Sequence, residues 1–394
     1  MKIIIIGAGI SGLTLGSFLS SKKNNDIEYK IFEKRKNIIE EYNGIQLSPN
    51  ATRILNLIGF KKIKKKELFF PKHIKFSDLH NGDEIFNIKT NNFTHKKNSY
   101  VCMNRNILIK FLIKKIPKQL ITFNKKVKKI EHFKNSKIIK FSDGTTERTD
   151  LVIIADGVFS KNRQKEFPNN NLKFSGSVAF RTKNVRLPKC SKIDNGKINV
   201  FLGPLSHVVA YPVNKKKDFN FVSVIANEKF KKYVSTNKTN ITKLKFFFKK
   251  SRNFWTKEVA KIFKNHIISC WPIYVVKFNK PWIKNNLVLL GDAAHAMLPY
   301  HAQGAAQSIE DAYQLYRSLK IKDLSSALNK YEKLRKLRVS KVILRSNINK
   351  AIFHISNENL RLLRNVILKY LLNKRAFIKS YFGGLFEYKR NNEK

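Results

Sequence analysis

Four short apolar runs dominate the hydrophobic pattern of this chain, and each leads into small or acidic residues. The runs Lys2–Ile6, Ile27–Glu33, Leu151–Ala155 and Leu287–Leu290 resemble strands that are buried on both faces of a parallel sheet. Apolar residues at helical spacing over Ile10–Ser20 predict a helix directly after the first run. Strands that alternate with helices indicate an α/β fold with a Rossmann-like nucleotide-binding domain.

The pattern becomes alternating between about residues 174 and 276, which predicts antiparallel strands. A shorter strand-rich segment spans residues 72–97, and the chain after Ser308 is almost wholly helical. We therefore predict a discontinuous nucleotide-binding domain, an inserted sheet-rich substrate domain and a helical C-terminal region. Their expected bounds are 1–71, 98–173 and 277–320 for the first, 72–97 and 174–276 for the second, and 321–394 for the third.

Local signals refine three connections. A helix is expected over Asn50–Ile58 and ends at Gly59, a residue type that favours helix C-termini. A second helix is expected over Asn104–Ile116, with Asn104 as its N-cap. The segment Ser142–Gly144 predicts a turn between strands.

The charge balance is extreme, because 79 basic and 27 acidic side chains give a net charge of +52. Such a charge suits a nucleic acid or an anionic membrane as partner. The lysines are spread along the whole chain and form no compact basic module, which favours a generally basic surface instead. We expect no specific nucleic-acid partner.

Cysteine content and segment lengths favour a cytoplasmic protein. Cys102, Cys190 and Cys270 are too few and too scattered for a disulfide framework or a zinc site, so no metal is expected. The apolar run at the N-terminus is short and leads into a glycine motif, unlike a signal peptide. No segment is long and apolar enough to span a bilayer.

A glycine motif follows the first strand. In Gly7-x-Gly9-x-x-Gly12, the first glycine permits a tight turn, the second lets backbone N–H groups approach a pyrophosphate, and the third lets the helix pack on the strand. Glu33 lies 33 − 12 = 21 residues beyond Gly12, at the end of the second strand. A carboxylate there accepts hydrogen bonds from an adenosine ribose.

Two further strand ends carry acidic residues. Asp156-Gly157 follows the third strand, where an ordinary β-turn is the alternative interpretation. Gly291-Asp292 follows the fourth, and a carboxylate there suits a polyol chain of hydroxyls. The next helix, which starts near Gly304, would direct its positive dipole toward an electron-rich ring.

These motifs, in this order and spacing, resemble those of the class A flavoprotein monooxygenases of the para-hydroxybenzoate hydroxylase family. Gly44–Ala51 and Arg105 match early segments of the FAD domain in that family. His207–Pro212 and the tail from Tyr331 to Tyr388 are most similar to its salicylate hydroxylase-type branch. The resemblance covers nearly the whole chain.

The resemblance implies FAD as cofactor and NADH or NADPH as a transient co-substrate that has no binding domain of its own. It implies contacts to the ribose from Glu33, to the pyrophosphate and ribityl region from Arg105 and Asp156, and to the ribityl chain from Asp292. Pro299 and Gly304 would lie beside the isoalloxazine. The full set of cofactor-binding candidates is Gly7, Gly9, Gly12, Glu33, Arg35, Arg105, Asp156, Gly157, Gly291, Asp292, Pro299 and Gly304.

The implied reaction is hydroxylation of a small aromatic, hydroxybenzoate- or salicylate-like, with O2 and NAD(P)H through a flavin C4a-hydroperoxide. Arg181 is a candidate to pair with a substrate carboxylate, and His207 or Tyr211 to relay the phenolic proton. A surface arginine, a loop histidine and a core tyrosine are the alternatives. His295 is interpreted as orienting the Asp292 motif, and Tyr300 and His301 as flanking the flavin.

Other functions stay open at this point. A ubiquinone-biosynthesis-type hydroxylase or an alkene epoxidase belongs to the same family, and a flavin-binding protein without turnover or a basic nucleic-acid-binding protein is more remote. The leucine-rich, basic segment Leu360–Phe386 is expected to pack on the catalytic domain, with peripheral contact to an anionic membrane as the alternative.

Overall fold

The computed structural model describes residues 1–21, 26–37, 43–93, 98–134, 136–235 and 239–386. The strands are β1 Lys2–Ile6, β2 Glu28–Phe32, β3 Gly44–Leu47, β4 Leu68–Phe69, β5 His73–Asp78, β6 Glu84–Lys89, β7 Val101–Asn104, β8 Ile121–Thr122, β9 Val127–His132, β10 Lys137–Phe141, β11 Thr146–Thr149, β12 Leu151–Ile154, β13 Leu172–Val185, β14 Ile198–Gly203, β15 Ser206–Pro212, β16 Phe219–Ala226, β17 Ser269–Val276, β18 Ile283–Lys284 and β19 Leu287–Leu289. The α-helices are α1 Ile10–Ser21, α2 Pro49–Asn56, α3 Arg105–Ile113, α4 Lys161–Glu166, α5 Ile241–Arg252, α6 Lys257–Asn265, α7 Asp292–His295, α8 Gly304–Ser318, α9 Leu324–Phe353, α10 Glu358–Asn373 and α11 Arg375–Phe386.

The four apolar runs of the sequence lie in one six-stranded sheet of order β18-β19-β12-β1-β2-β8. The pairs β1–β12, β1–β2, β12–β19 and β2–β8 are parallel, and only the short β18 runs antiparallel among the described strands. The side chains of β12 and β19, and those of β1 after Lys2, are buried, and α1 packs against β2 with α8 beside it. The predicted α/β fold with a parallel nucleotide-binding sheet is confirmed.

A second, seven-stranded sheet has the order β17-β13-β16-β15-β14-β5-β6. The antiparallel strands β13 to β17 come from the predicted insertion. Strands β5 and β6 come from the separate segment 72–97, and β5 joins β14 in parallel with Ile198 opposite Ile74. The sheet thus contains strands from both segments assigned to the substrate domain, while the domain bounds themselves stay a prediction.

Two helices of the insertion were not anticipated. Helices α5 and α6 interrupt the run of strands between β16 and β17. The buried positions Val259, Ile262 and Phe263 of α6 have helical spacing, and Phe248 of α5 stacks on Phe180 of β13. An all-strand reading of residues 174–276 was therefore wrong in this stretch, because the strand-like apolar content there belongs to amphipathic helices.

Helix α3 starts where the sequence indicated but ends at Ile113 rather than Ile116. Asn104 occupies the N-cap position with extended backbone, yet its side chain makes no capping hydrogen bond in the part of the chain described. The expected cap is thus correct in position and wrong in its bonding. Helix α2 ends at Asn56, three residues before Gly59.

The three C-terminal helices pack against both sheets. Helix α9 lies along α8, and α10 lies against β6 and α11, so the tail contacts the catalytic core as expected. On α10, Arg364 is buried and donates to the Ile352 carbonyl at 3.2 Å, and Arg361 lies 3.8 Å from Asp78. Two basic residues of the segment Leu360–Phe386 therefore point toward the rest of the protein. Within the described ranges, no helix has the length and apolarity needed to cross a membrane.

Candidate cofactor and substrate site

In the glycine loop between β1 and α1, Gly7 and Gly12 have no space for a side chain. Gly7 has φ of +110°, and a Cβ there would lie 2.5 Å from the carbonyl oxygen of Ala155 at the end of β12. A Cβ at Gly12 would overlap the carbonyl oxygen of Gly7. The first turn of α1 is thus pressed onto the loop, so that backbone N–H groups rather than side chains face a ligand at this strand end.

Glu33 lies beside this loop, directly after β2. Its Oε2 accepts the Ala8 N–H at 2.9 Å, and its Oε1 accepts the Arg35 N–H at 3.0 Å. These bonds fix the carboxylate next to the glycine loop. The side chain of Arg35 is exposed, and its predicted role in cofactor binding stays a prediction.

Asp156 follows β12 and has one oxygen in need of a partner. Its Oδ2 accepts from the Asn162 side chain at 2.8 Å, whereas its Oδ1 is buried and without a hydrogen bond among the described residues. Burial raises the pKa of the Asp156 carboxyl above its ordinary value. A hydroxyl or amide donor from a bound ligand would satisfy this oxygen.

The turn after β19 is fixed by hydrogen bonds to the buried Asp311 of α8. Gly291 has φ of +64°, and a Cβ there would meet Ser308 Oγ at 2.8 Å and Ser11 at 2.9 Å. The Gly291 N–H donates to Asp311 Oδ2 at 3.0 Å, and His295 Nε2 lies 2.5 Å from the same oxygen. His295 is therefore turned into the protein interior, as expected for a residue that orients the motif.

Asp292 lines the cavity that this turn borders, and its side chain is accessible from it. Loss of bulk water raises the pKa of the Asp292 carboxyl, and the charges of His295 and Arg105 oppose that rise. A Cβ built on Gly304 would lie 3.9 Å from Asp292 Oδ1, so the start of α8 and this carboxylate face the same space.

A buried ion network beneath the turn was not predicted. Arg335 of α9 donates from Nε to Asp311 Oδ1 and from Nη1 to Glu310 Oε2, both at 2.6 Å. Burial works against ionisation of Asp311, but the charges of His295 and Arg335 lower the pKa of its carboxyl to about 2. Arg338 adds a 3.1 Å ion pair to Glu310. The acidic pair is visible in the sequence, but no local pattern links it to Arg335.

One cavity of about 1150 Å³ joins the cofactor and substrate candidates. From the cofactor set it is lined by Gly9, Arg105, Gly157, Asp292, Pro299 and Gly304. From the substrate set it is lined by Arg181, His207 and Tyr211, together with Tyr300 and His301. The cavity is not lined by Gly7, Gly12, Glu33 or Gly291. These residues fix the loops that carry the lining residues.

Arg181 and Tyr211 are neighbours on the cavity side of the seven-stranded sheet. The Nε of Arg181 is buried and has no hydrogen-bond partner among the residues described. The side chains of Gln46 and Asn220 beside the Tyr211 hydroxyl act to lower its pKa. Burial raises the pKa of Tyr211 and outweighs the opposing charge of Arg181, so the phenol is protonated at neutral pH. The pair offers a cation and a hydroxyl to an acidic ligand.

His207 belongs to a buried chain of polar groups that includes a residue not identified from the sequence. Its Nδ1 lies 2.9 Å from Nε2 of His354, which directly follows α9, and His354 Nδ1 lies 3.5 Å from the Tyr300 hydroxyl. Burial lowers the pKa of His207 well below its ordinary value and that of His354 to about 3. Both rings are therefore neutral at neutral pH.

The loop before α8 carries a strained residue and a second histidine. Ala302 has φ of +53°, a conformation that favours glycine. Burial lowers the pKa of His301 to about 4. The Asn349 side chain lies 3.4 Å from His301 Nδ1, and Tyr381 donates to Asn349 Oδ1 at 2.6 Å. Helices α9 and α11 thus position this side of the cavity.

The residues present fit a dinucleotide with a polyol chain. Backbone N–H groups at the glycine loop suit a pyrophosphate, and the carboxylates of Glu33 and Asp292 suit sugar and ribityl hydroxyls. A further hydrogen-bond donor of the ligand could bond to the unpartnered Oδ1 of Asp156. The cavity beyond Asp292 gives room for a ring system.

Comparison with known proteins agrees with this reading. A family model described as FAD binding domain matches residues 1–346. The chain is 28% identical to 3-amino-4-hydroxybenzoate 2-monooxygenase PtmB3 of Streptomyces platensis over 365 residues, which cover 90% of this chain and 89% of that protein. It is 27% identical to 6-hydroxynicotinate 3-monooxygenase of Bordetella bronchiseptica, with coverage of 86% and 89%.

Solved structures share the fold. HpxO of Klebsiella pneumoniae, complexed with FAD and uric acid, superposes with a TM-score of 0.84 at 21% identity, over 98% of this chain and 97% of that chain. A salicylate hydroxylase substrate complex superposes with a TM-score of 0.75 at 20% identity, over 95% of each chain. The resemblance inferred from the sequence motifs is confirmed: the chain belongs to the FAD-binding domain family, among the class A flavoprotein monooxygenases, and its cofactor is FAD.

Proposed function

We propose that this oxidoreductase uses NADH or NADPH and O2 to hydroxylate a small aromatic acid of the hydroxybenzoate type. The balance is ArH + O2 + NAD(P)H + H⁺ giving ArOH + H2O + NAD(P)⁺. The observation that carries the proposal is the single cavity in which Asp292 and Gly304 face Arg181, His207 and Tyr211. The names of the relatives, which act on hydroxybenzoates and a hydroxynicotinate, support the same substrate class.

In this proposal Glu33, Asp156 and Asp292 bind the hydroxyls of FAD, and the glycine loop and Arg105 receive its pyrophosphate and ribityl region. Bound FAD supplies the electron transfer from the nicotinamide and the activation of O2. The apolar cavity walls exclude water from the reacting centre.

Arg181 binds the carboxylate of the substrate, because it lines the cavity and its buried Nε–H has no partner among the described residues. The Tyr211 hydroxyl stays protonated and donates to the substrate. When His207 Nδ1–H donates to His354 Nε2, the Nε2 of His207 is left as a hydrogen-bond acceptor for the phenolic hydroxyl. The lowered pKa keeps that nitrogen unprotonated at neutral pH.

An oxidation screen tests the proposal. The FAD-loaded enzyme is given NADH or NADPH with a panel of phenols, benzoates and hydroxybenzoates, and nicotinamide oxidation and H2O2 release are followed in parallel. We expect oxidation stimulated by hydroxybenzoates, with little H2O2 because oxygen enters the product. A protein that retains no FAD, or whose nicotinamide oxidation no aromatic stimulates, contradicts it.

The substrate orientation is tested by Arg181→Gln. Loss of a charge-assisted pair predicts a roughly 10- to 100-fold rise in KM for carboxylated substrates, with a smaller change in kcat. The matching phenol without a carboxylate serves as the control and should lose little. Equal losses for both compounds would show that Arg181 supports the sheet rather than the substrate.

A further inference from the structure

The cavity side of the seven-stranded sheet is chemically divided along its strand order. The polar lining residues Arg181, His207 and Tyr211 lie on β13 and β15, toward one side. Beyond β15, the cavity-lining positions on the last three strands are all apolar: Ile74 and Phe76 of β5, Phe86 and Ile88 of β6, and Ile198 and Val200 of β14. We call the space over these six residues the apolar arm.

Helices α10 and α11 complete the apolar arm. Helix α10 lies beside β6, at the edge of the sheet, and contributes Leu363 and Ile367 to the lining. The buried Arg364 also lines the cavity, but its guanidinium donates to the Ile352 carbonyl and the Asn365 side chain. Phe377 and Phe382 of α11 line it as well. Leu363 is 55% exposed although it lines the cavity, so it marks an opening to solvent. The arm therefore runs from the polar residues to the surface along the C-terminal helices.

Such a wall is unnecessary for a benzoate alone. A small aromatic acid is served by the polar part, which leaves the six apolar positions of the arm uncovered even when the flavin ring fills the Asp292 end of the cavity. An open, water-accessible apolar surface carries a free-energy cost unless a ligand covers it.

We infer that the site takes an aromatic substrate with an apolar tail, an alkyl or prenyl chain that lies in the apolar arm and reaches the opening at Leu363. The inference rests on the proposed function and specifies its substrate class. The aromatic head is held by Arg181, His207 and Tyr211, and the tail is desolvated by the walls of β5, β6 and β14.

A homologous series of alkyl-substituted hydroxybenzoates, from no tail to eight carbons, tests this on the FAD-loaded enzyme by calorimetric binding. Each buried methylene should lower Kd about three- to fourfold until the tail reaches the opening. In Val200→Phe, which fills the arm, the tailed compounds should lose at least roughly tenfold in affinity while the untailed acid binds as before.

A matched pair on α10 locates the opening. Leu363→Gln should weaken binding of the longest tails by about threefold or more, and Leu362→Gln should not, because Leu362 is 60% exposed but does not line the cavity. A Kd independent of tail length in the unmodified enzyme, with untailed acids bound and hydroxylated, overturns the inference and leaves the proposed function standing. If the enzyme binds neither the tailed nor the untailed compounds, the proposed function itself is overturned.

Discussion

The cofactor half and the substrate half of the cavity are built by different means. In the cofactor half, strand ends deliver backbone groups and carboxylates, and Gly7, Gly12 and Gly291 have no space for a Cβ. In the substrate half, His207 of β15 meets His354, which directly follows α9 and is far away in the chain. Backbone geometry determines the shape of the cofactor half. Side-chain packing between distant parts of the chain determines the shape of the substrate half.

Because of this difference, we expect substitutions in the two halves to have different effects. A change in the cofactor half meets backbone or an ion network that has no room to adapt, so it should damage both stability and FAD binding. A change in the substrate half meets side chains around an open cavity, so it should alter specificity or pH response first. The following variants challenge that contrast, in order of decreasing effect.

Gly12→Ala should have the largest effect. The new Cβ would overlap the Gly7 carbonyl oxygen, and both atoms belong to backbone that the sheet and α1 hold in place. We expect a loss of about 5 kcal/mol or more in the free energy of unfolding, together with loss of FAD, measured by denaturant titration and flavin absorbance. Gly144→Ala is the control: it has φ of +85° but open space around it, so only about 1 kcal/mol should be lost. Similar losses in both variants would remove the steric explanation.

Arg335→Met should follow. It leaves Asp311 and Glu310 buried without their guanidinium, which predicts a loss of about 3–5 kcal/mol in the free energy of unfolding. FAD affinity should fall as well, because Asp311 holds the Gly291 N–H. Lys336→Met removes only a partly exposed pair to Glu332 and should cost less than about 1 kcal/mol. Unchanged FAD affinity in Arg335→Met would show that the network does not support the turn.

His354→Gln tests the substrate half through acid stability. The pKa of His354 is about 3 in the folded protein and near 6.5 when unfolded, so between these values the unfolded state binds the extra proton. Stability from this group is therefore present above pH 6.5 and is lost as the pH falls. Between pH 7 and pH 5, protonation of His354 in the unfolded state should lower the free energy of unfolding by about 2 kcal/mol. The His354→Gln variant should lack this part of the pH dependence.

Unfolding free energies at pH 7 and pH 5 measure this slope. His266→Gln is the matched control. His266 is not part of the His207–His354–Tyr300 chain, and its Nδ1 lies 2.8 Å from the Ile262 carbonyl oxygen. A pH slope in His354→Gln equal to that of the unmodified protein would mean that His354 is not held neutral by its surroundings.

Ala302→Gly should have the smallest effect and the opposite sign. At φ of +53° a Cβ is strained, and glycine relieves that strain against a small entropy cost in the unfolded chain. We expect a gain of about 0.5–1 kcal/mol in thermal or denaturant stability with FAD retained. A loss of stability would show that the Ala302 methyl group contributes packing at the ring end of the cavity.

The same contrast explains how far the sequence predicted the structure. The parallel sheet, the glycine loop and the positions of Asp156 and Asp292 follow from local patterns, because continuous apolar runs and glycine spacing constrain the backbone directly. Helices α5 and α6 were missed because their apolar residues also suit strands. Arg335 on α9 and His354 directly after it were missed because nothing in the local sequence indicates partners so distant in the chain.

The strand order of the six-stranded sheet has a consequence for synthesis on the ribosome. Strand β1 can pair with β2 early, but β12 receives its neighbour β19 only once residues 287–289 have been made. From Ile6 to Leu289, this takes roughly 15 to 60 seconds at ~5–20 residues per second. During the later part of that interval β12 exposes an apolar, unpaired edge, which is a site for aggregation. A chaperone that covers this edge until β19 has been made should therefore raise the soluble yield.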